Sequence, residues 1–385
     1  MSAAIEMIER LVAYDTTSHL SNLALIDDVK GILAGHGIDS RLTFNAEKTK
    51  ANLFATIGPK DKGGIVLSGH TDVVPVIGQP WSSDPFKVRK ADGKLYGRGT
   101  SDMKSFIAVA LSLLPEMAKR SFRTPIHFAF SYDEEVGCHG ARPLIQDIVA
   151  NLPLPRAVIV GEPTMMKLIN QHKGAASFKI TIHGQEGHSS GPQLGVNANF
   201  VAVKLIGEIL RIQDELIAAA DPKSEFTPPY PTFNIGVLNG GTAGNIIPNH
   251  CEFALELRVL PGQTTDPIVD KIKAFATGTL EPEMRRVSPK AHIHFHKNGE
   301  IPPLSALKDS PAESLIRLLT GLNQAGAVAY GTEAGLFQEG GMPTVVFGPG
   351  DIAQAHQADE FIEIAQVEAC EAFMRKLFDW AEKTD

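Results

Sequence analysis

Carboxylates and imidazoles recur in this chain where apolar runs stop. The segment "SYDEEVGC" (131–138) sets Glu134 and Glu135 side by side, directly after the apolar "IHFAFSY". Adjacent like charges repel, and a carboxylate at the end of a core strand needs something to neutralise it. An acidic loop would account for these letters alone, but the pattern returns. "SGHTD" puts His70 and Asp72 just past another apolar run, two positions apart and therefore on one side of an extended chain. "GRGTSDMKS" puts Asp102 after a Gly-rich turn, at the start of a helix-like segment. "VIVGEPT" supplies Glu162, and "GPGDIAQAHQADE" supplies His356.

Carboxylate and imidazole ligands without thiolates suit Zn²⁺, Co²⁺ or Mn²⁺. They are too many for one tetrahedral catalytic zinc. Two metals about 3.5–4 Å apart, sharing a carboxylate, would use about five such residues. Neighbouring residues of extended chain point opposite ways, so one of Glu134 and Glu135 can bind metal while the other faces a reacting water.

These residues need a scaffold that brings strand ends together. "GGIVLSGH", "PIHFAFSY" and "RAVIVGEP" read as buried strands. "AAIEMIERLVAY", "NLALIDDVKGILAGHG" and "SFIAVALSLLPEMAKR" read as helices, the last buried on most faces. Near-continuous apolar strands alternating with helices indicate an α/β sheet covered on both faces. In such sheets, sites form beyond the carboxyl ends of the strands. From about residue 174 the strands alternate polar and apolar instead, in the order strand–helix–strand–strand–helix–strand of a ferredoxin-like α+β unit. The expectation is a mixed-sheet α/β catalytic domain, residues 1–173 and 299–385, interrupted by an inserted domain at 174–298.

The chain has 385 residues, enough for two domains, and an ordinary composition of 43% hydrophobic and 21% charged residues. A net charge of −8 argues against a nucleic-acid partner. Cys138, Cys251 and Cys370 are far apart, so neither a disulfide framework nor a thiolate zinc site is indicated. The N-terminal segment lacks the basic start and apolar run of a signal peptide, and no stretch is apolar enough for a membrane span. A cytoplasmic enzyme is the expected class. In "AHIHFH", alternation puts His292, His294 and His296 on one face of a strand, some 6–7 Å apart at each step, which reads as a solvent-facing surface. Cys138 reads as a buried residue near the start of the next helix.

The motifs HTD, GTSDMK, DEE, GEPT and AHQADEF, in this order and over nearly the whole chain, resemble those of the M20 family of metallohydrolases. The resemblance implies that His70 and Glu162 hold one ion, Glu135 and His356 the other, and that Asp102 bridges them. It also implies that Glu134 is the general base and that Asp72 orients His70. Two divalent ions follow, zinc with cobalt as a substitute, activating a water for attack on an amide. A cis peptide bond between Asp102 and Met103 follows as well. So does a ferredoxin-like lid that forms a homodimer, with His188 of "GQEGHSS" stabilising the oxyanion in the partner's site.

Arg258 and Asn245 match lid residues that reach the substrate's carboxylate, a role that suits the planar fork of arginine. The loop "FGPG" (347–350) offers the N–H of Gly348 to the same group. Finer features, among them "GHSS" (187–190), "GVNA" (195–198) and "GTEA" (331–334), resemble the acetylornithine deacetylase branch. The implied substrate is then an N-acyl amino acid, N2-acetyl-L-ornithine, hydrolysed to L-ornithine and acetate in arginine biosynthesis. An aminoacylase-like or succinyl-diaminopimelate desuccinylase-like deacylase is the alternative. A relative that binds a ligand or partner without turnover is the reading from a different class, and the filled ligand and base positions weigh against it. A cationic substrate side chain would need a carboxylate partner. Glu333 is the candidate, with helix capping or loop fixing as its other reading.

Overall fold

The apolar runs that end in carboxylates or histidines are strands of one mixed sheet. A computed structural model describes residues 2–384 and divides the chain into two units. The first holds Met1–Gln171, Leu304–Ala327 and Thr332–Asp385, and the second His172–Pro303 and Val328–Gly331.

The eight-stranded sheet runs Ser40–Phe44, Ala51–Ile57, Ile126–Ser131, Ile65–His70, Ala157–Val160, Thr344–Val346, Ile169–His172, Gly326–Val328. Its four central strands are parallel to one another and buried along their whole length. Their β-branched and aromatic residues suit a pleated surface covered on both sides. The register sets Ile65 beside Ile126 and Ala157, so that His70 aligns with Ser131 and Ser68 with Val160. The carboxyl ends therefore lie at one edge, and the chain leaves that edge into the segments carrying His70, Glu134, Glu162 and His356.

The helix Lys104–Ser112 is buried from Lys104 to Leu111, which is why its sequence is apolar on every side. The helices Ala3–Val12 and Ile364–Lys383 pack against it. The buried Lys104 ammonium donates to the carbonyls of Leu11 (3.2 Å) and Tyr14 (2.8 Å), and burial lowers its pKa to about 7. The run expected as one helix breaks at Leu113. A second helix, Leu114–Met117, starts there with Pro115 in its first turn, where the missing N–H is tolerated. The peptide between Asp102 and Met103 is cis, and a Cβ on Gly161 would lie 2.1 Å from Phe106 Cγ. Only glycine lets the strand end bearing Glu162 approach this helix so closely.

In the second unit, four antiparallel strands run in the order Thr232–Gly240, His250–Val259, Gly174–His183, His292–Ile301. In chain order this is 2-3-1-4, the ferredoxin-like arrangement. The helices Ala198–Ala218 and Asp266–Phe275 share its apolar core. The unit extends beyond the expected 174–298, because its last strand continues to Ile301, opposite Ala175. In addition, Lys173 donates its N–H to Val328 O (3.3 Å). His292, His294 and His296 are exposed on this sheet. Pairing sets His183 against His292 with rings 4.5 Å apart. Phe200, Val203 and Leu210 on the longer helix, and Val237 and Leu238 on an edge strand, are also exposed. Among the described residues, no helix is long and apolar enough to cross a membrane.

Candidate metal centre

His70 ends its strand fully buried. Its Nδ1 lies 2.9 Å from Asp72 O and 3.5 Å from Asp72 Oδ1. That contact turns Nε2 toward Asp102 Oδ1 at 2.9 Å and Glu162 Oε1 at 3.7 Å. Asp72 does more than orient the ring. Its oxygens accept the N–H groups of Glu134 (3.0 Å) and Glu135 (3.3 Å) and the hydroxyl of Ser18 (2.7 Å). One buried carboxylate thus fixes His70 and the backbone of both glutamates.

Asp102 presents its second oxygen to the other side. Oδ2 lies 3.4 Å from His356 Nε2, which is 3.0 Å from Glu135 Oε2. Two groups of three ligand atoms result, His70–Asp102–Glu162 and Asp102–Glu135–His356, each spanning no more than 4.8 Å. Asp102 belongs to both, with one oxygen toward each histidine.

The donor set fits divalent cations. Glu162 is 4% exposed, and its buried Oε1 has no hydrogen-bond partner. Burial, added to by Asp102, holds the Glu162 carboxyl well above its ordinary value. Burial likewise raises Glu134 to about 8, with neighbouring carboxylates adding to it, and Glu135 to about 7, with Asp102 adding to it. The histidines respond oppositely. Burial alone would lower His70, but hydrogen bonds to Asp102 and Asp72 raise it well above the imidazole value. Hydrogen bonds to Asp102 and Glu135 raise His356 to about 10. Oxygens that repel one another around two imidazoles are what a pair of hard or borderline cations would neutralise. Glu134 stands outside both groups, and its Oε1 accepts the thiol of Cys138 at 3.3 Å. Cys138 is buried in the turn before the helix Ala141–Asn151.

Two residues have partners that the sequence did not suggest. Glu333, expected as a partner for a substrate's cationic side chain, is fully buried with both carboxylate oxygens engaged. Its carboxylate accepts the hydroxyls of Ser68 (2.6 Å) and Ser131 (2.7 Å) and so ties together the strands that carry His70 and the paired glutamates. Its side chain makes no cap bond at the helix Ala334–Glu339, so it links strands where helix capping or loop fixing was the other expectation. Gly348 is also buried, and its N–H donates to Thr164 Oγ1 at 3.2 Å, so it is not a free donor for a carboxylate.

His188, Asn245 and Arg258 lie in the second unit. His188 is exposed in a short strand paired with Ile246–Ile247, and Ser189 donates its N–H to Asn245 O (3.1 Å), so His188 and Asn245 are neighbours. The Ser190 N–H approaches His188 Nδ1 at 3.2 Å, which leaves Nε2 to carry the proton of the neutral ring. Arg258 is half-buried and donates to Glu256 Oε1 at 2.5 Å and Ala329 O at 3.4 Å. Sequence reasoning passed over Glu360, Arg98 and Gln79, which lie behind the two groups. The available signal was the second acid of AHQADEF, whose carboxylate accepts from the turn bearing Asp102.

Residues 66–379 match the model of the family described as Peptidase family M20/M25/M40. Acetylornithine deacetylase of Proteus mirabilis (strain HI4320) is 36% identical over 383 residues, 97% of this chain and 96% of the relative. Among solved structures, an M20 family metallo-carboxypeptidase, Sso-CP2 from Sulfolobus solfataricus, superposes with a TM-score of 0.76. Its identity is 17% and all of both chains is covered. Aminopeptidase PepT from Bacillus cereus gives 0.73 at 19% identity, over 99% of this chain and 98% of its own.

The geometry assigns different parts to the paired glutamates. Replacing Glu135 by Gln should lower the ion content of dialysed protein, and replacing Glu134 by Gln should leave it as in wild type. Elemental analysis of the three proteins checks this, and equal ion loss in both variants would contradict the assignment.

Proposed function

The chain belongs to peptidase family M20/M25/M40 and is a metal-dependent hydrolase, and on that premise we propose that it is a two-metal amide hydrolase converting N2-acetyl-L-ornithine to L-ornithine and acetate. The observation that carries the substrate is the 36% identity to an acetylornithine deacetylase across 97% of the chain, both units included. On this reading the enzyme works in the cytoplasm, in arginine biosynthesis.

His70, Glu162, Glu135 and His356 are the proposed ligands, with Asp102 shared between two ions, zinc or cobalt in its place. Bound there, the ions supply an activated water and a polarised amide carbonyl. The remaining work belongs to the side chains. Glu134, outside the ligand groups, takes the proton of the attacking water and returns it to the leaving amine. Its high value falls when cations sit beside it, since opposite charge favours the ionised form, and this leaves it a base near neutral pH. Asp72 keeps His70 turned and holds the backbone of Glu134 and Glu135 in place.

In the second unit, Arg258 and Asn245 are the proposed partners of the substrate's carboxylate. His188 is the proposed oxyanion donor for a second copy of the chain, and its tautomer, with the proton on Nε2, suits a donor. The exposed apolar residues Phe200, Val203 and Leu210, beside the edge strand with Val237 and Leu238, support pairing of two copies through this unit.

A panel of N2-acetyl-L-ornithine, N-succinyl-diaminopimelate, other N-acetyl amino acids and dipeptides tests the substrate. It is assayed with metal-free protein and after adding Zn²⁺ or Co²⁺. The expected result is metal-dependent turnover with the highest kcat/KM on acetylornithine, and a higher value on a succinyl or dipeptide substrate would overturn the reading. Replacing His188 by Ala should lower kcat by about 10²–10³ with ion content unchanged. Mixing His188→Ala with Glu134→Ala subunits should restore one working site per heterodimer. A confirmed heterodimer as inactive as both parents would rule out a shared site.

A further inference from the structure

Behind the ligands, a chain of polar groups joins the backbones of Asp102 and His356. Glu360 is 1% exposed. Its Oε1 accepts the successive N–H groups of Ser101 (2.8 Å) and Asp102 (3.0 Å). Its Oε2 accepts the N–H of Gly99 (3.1 Å) and Arg98 Nη1 (2.7 Å). Arg98, equally buried, donates from Nη2 to Gln79 Oε1 (2.5 Å) and lies over the Trp81 ring, 5.1 Å from its centre. Gln79 is half-exposed, and its Nε2 donates to the carbonyl of His356 at 2.8 Å. His356 has a left-handed backbone, φ +63°, a conformation a non-glycine residue keeps only when its surroundings hold it.

We propose that Glu360, Arg98 and Gln79 form a brace that sets the separation of Asp102 and His356, and thereby governs occupancy of the metal position these two share with Glu135. The proposal rests on the two-metal reading. All three are positioning residues and act through the backbone. Two N–H groups bound to one carboxylate oxygen fix the peptide planes on either side of Ser101, and so the direction of the Asp102 side chain. Arg98 offsets the charge of Glu360 and carries the connection outward. Gln79 uses its carbonyl on Arg98 and its amide on His356, so one side chain closes the link. Among the described residues, no hydrogen bond joins the brace to His70 or Glu162. Its two ends therefore act differently: Glu360 serves the shared aspartate and hence both positions, while Gln79 serves only the His356 side.

Calorimetric titration of metal-free protein with Zn²⁺ tests this, alongside visible absorption of the Co²⁺-loaded forms. Wild type should bind two ions per chain. Replacing Gln79 by Ala should leave the first ion at wild-type affinity, weaken the second about 10–100-fold, as loss of an outer partner typically does, and alter the Co²⁺ bands of the second ion only. Replacing Glu360 by Gln should weaken both. Gln79 lies at the rim, so its variant carries the test if the Glu360 variant does not fold. Second-ion affinity and spectrum identical to wild type in Gln79→Ala would overturn the brace, whatever its melting temperature. A wild type that binds one ion per chain would instead overturn the two-metal reading, and the brace with it.

Discussion

Asp102, Glu134, Glu135 and Glu162 crowd one sheet edge with two histidines, and their mutual repulsion is the constraint on which the rest of the structure depends. Carboxylates removed from water are tolerable only where positive charge or donors reach them. Here donors reach Asp72 and Glu360, while Glu162 keeps a buried oxygen with no hydrogen-bond partner. The difference separates the groups that hold the site from those that would hold cations. Asp102 is the pivot, since each of its oxygens faces a different histidine.

Much of the first unit can be understood as support for that pivot. Four parallel strands in register deliver their carboxyl ends to one edge. Glu333 ties two of those strands through Ser68 and Ser131, just below His70 and the glutamates. Gly161 lets the Glu162 strand close onto Phe106, in the helix that follows Asp102. The buried ammonium of Lys104 caps carbonyls at the end of the first helix and anchors that same helix start. Each device keeps polar groups satisfied in a dry interior, where an unmet partner is most expensive.

The sequence carried the central strands and the residues of the two groups plainly, because apolar runs followed by His, Asp or Glu are local patterns. Contacts that depend on pairing were not legible. Glu333 reads as a candidate substrate partner until the fold lays it under Ser68 and Ser131, residues more than two hundred positions away. Gly348 reads as a free donor until Thr164 is seen to take its N–H. Alternation placed His292, His294 and His296 on one exposed face, but the stacking of His183 on His292 comes from strand register, which no single segment encodes. The antiparallel strands Ser40–Phe44 and Ala51–Ile57 went unread because their sequences mix polar and apolar residues without a clear period. Pro115 marked the break in the third helix, but the apolar run on both sides of it concealed the break.

The central claim is that one aspartate serves two cations. Titrating Zn²⁺ into metal-free protein with Asp102 replaced by Asn tests it most directly, because the amide keeps the size of the side chain and removes the charge that both ions would share. The account predicts that neither ion then binds at wild-type affinity. A variant that still takes up one ion as tightly as wild type would contradict it, and would mean that Asp102 belongs to a single position.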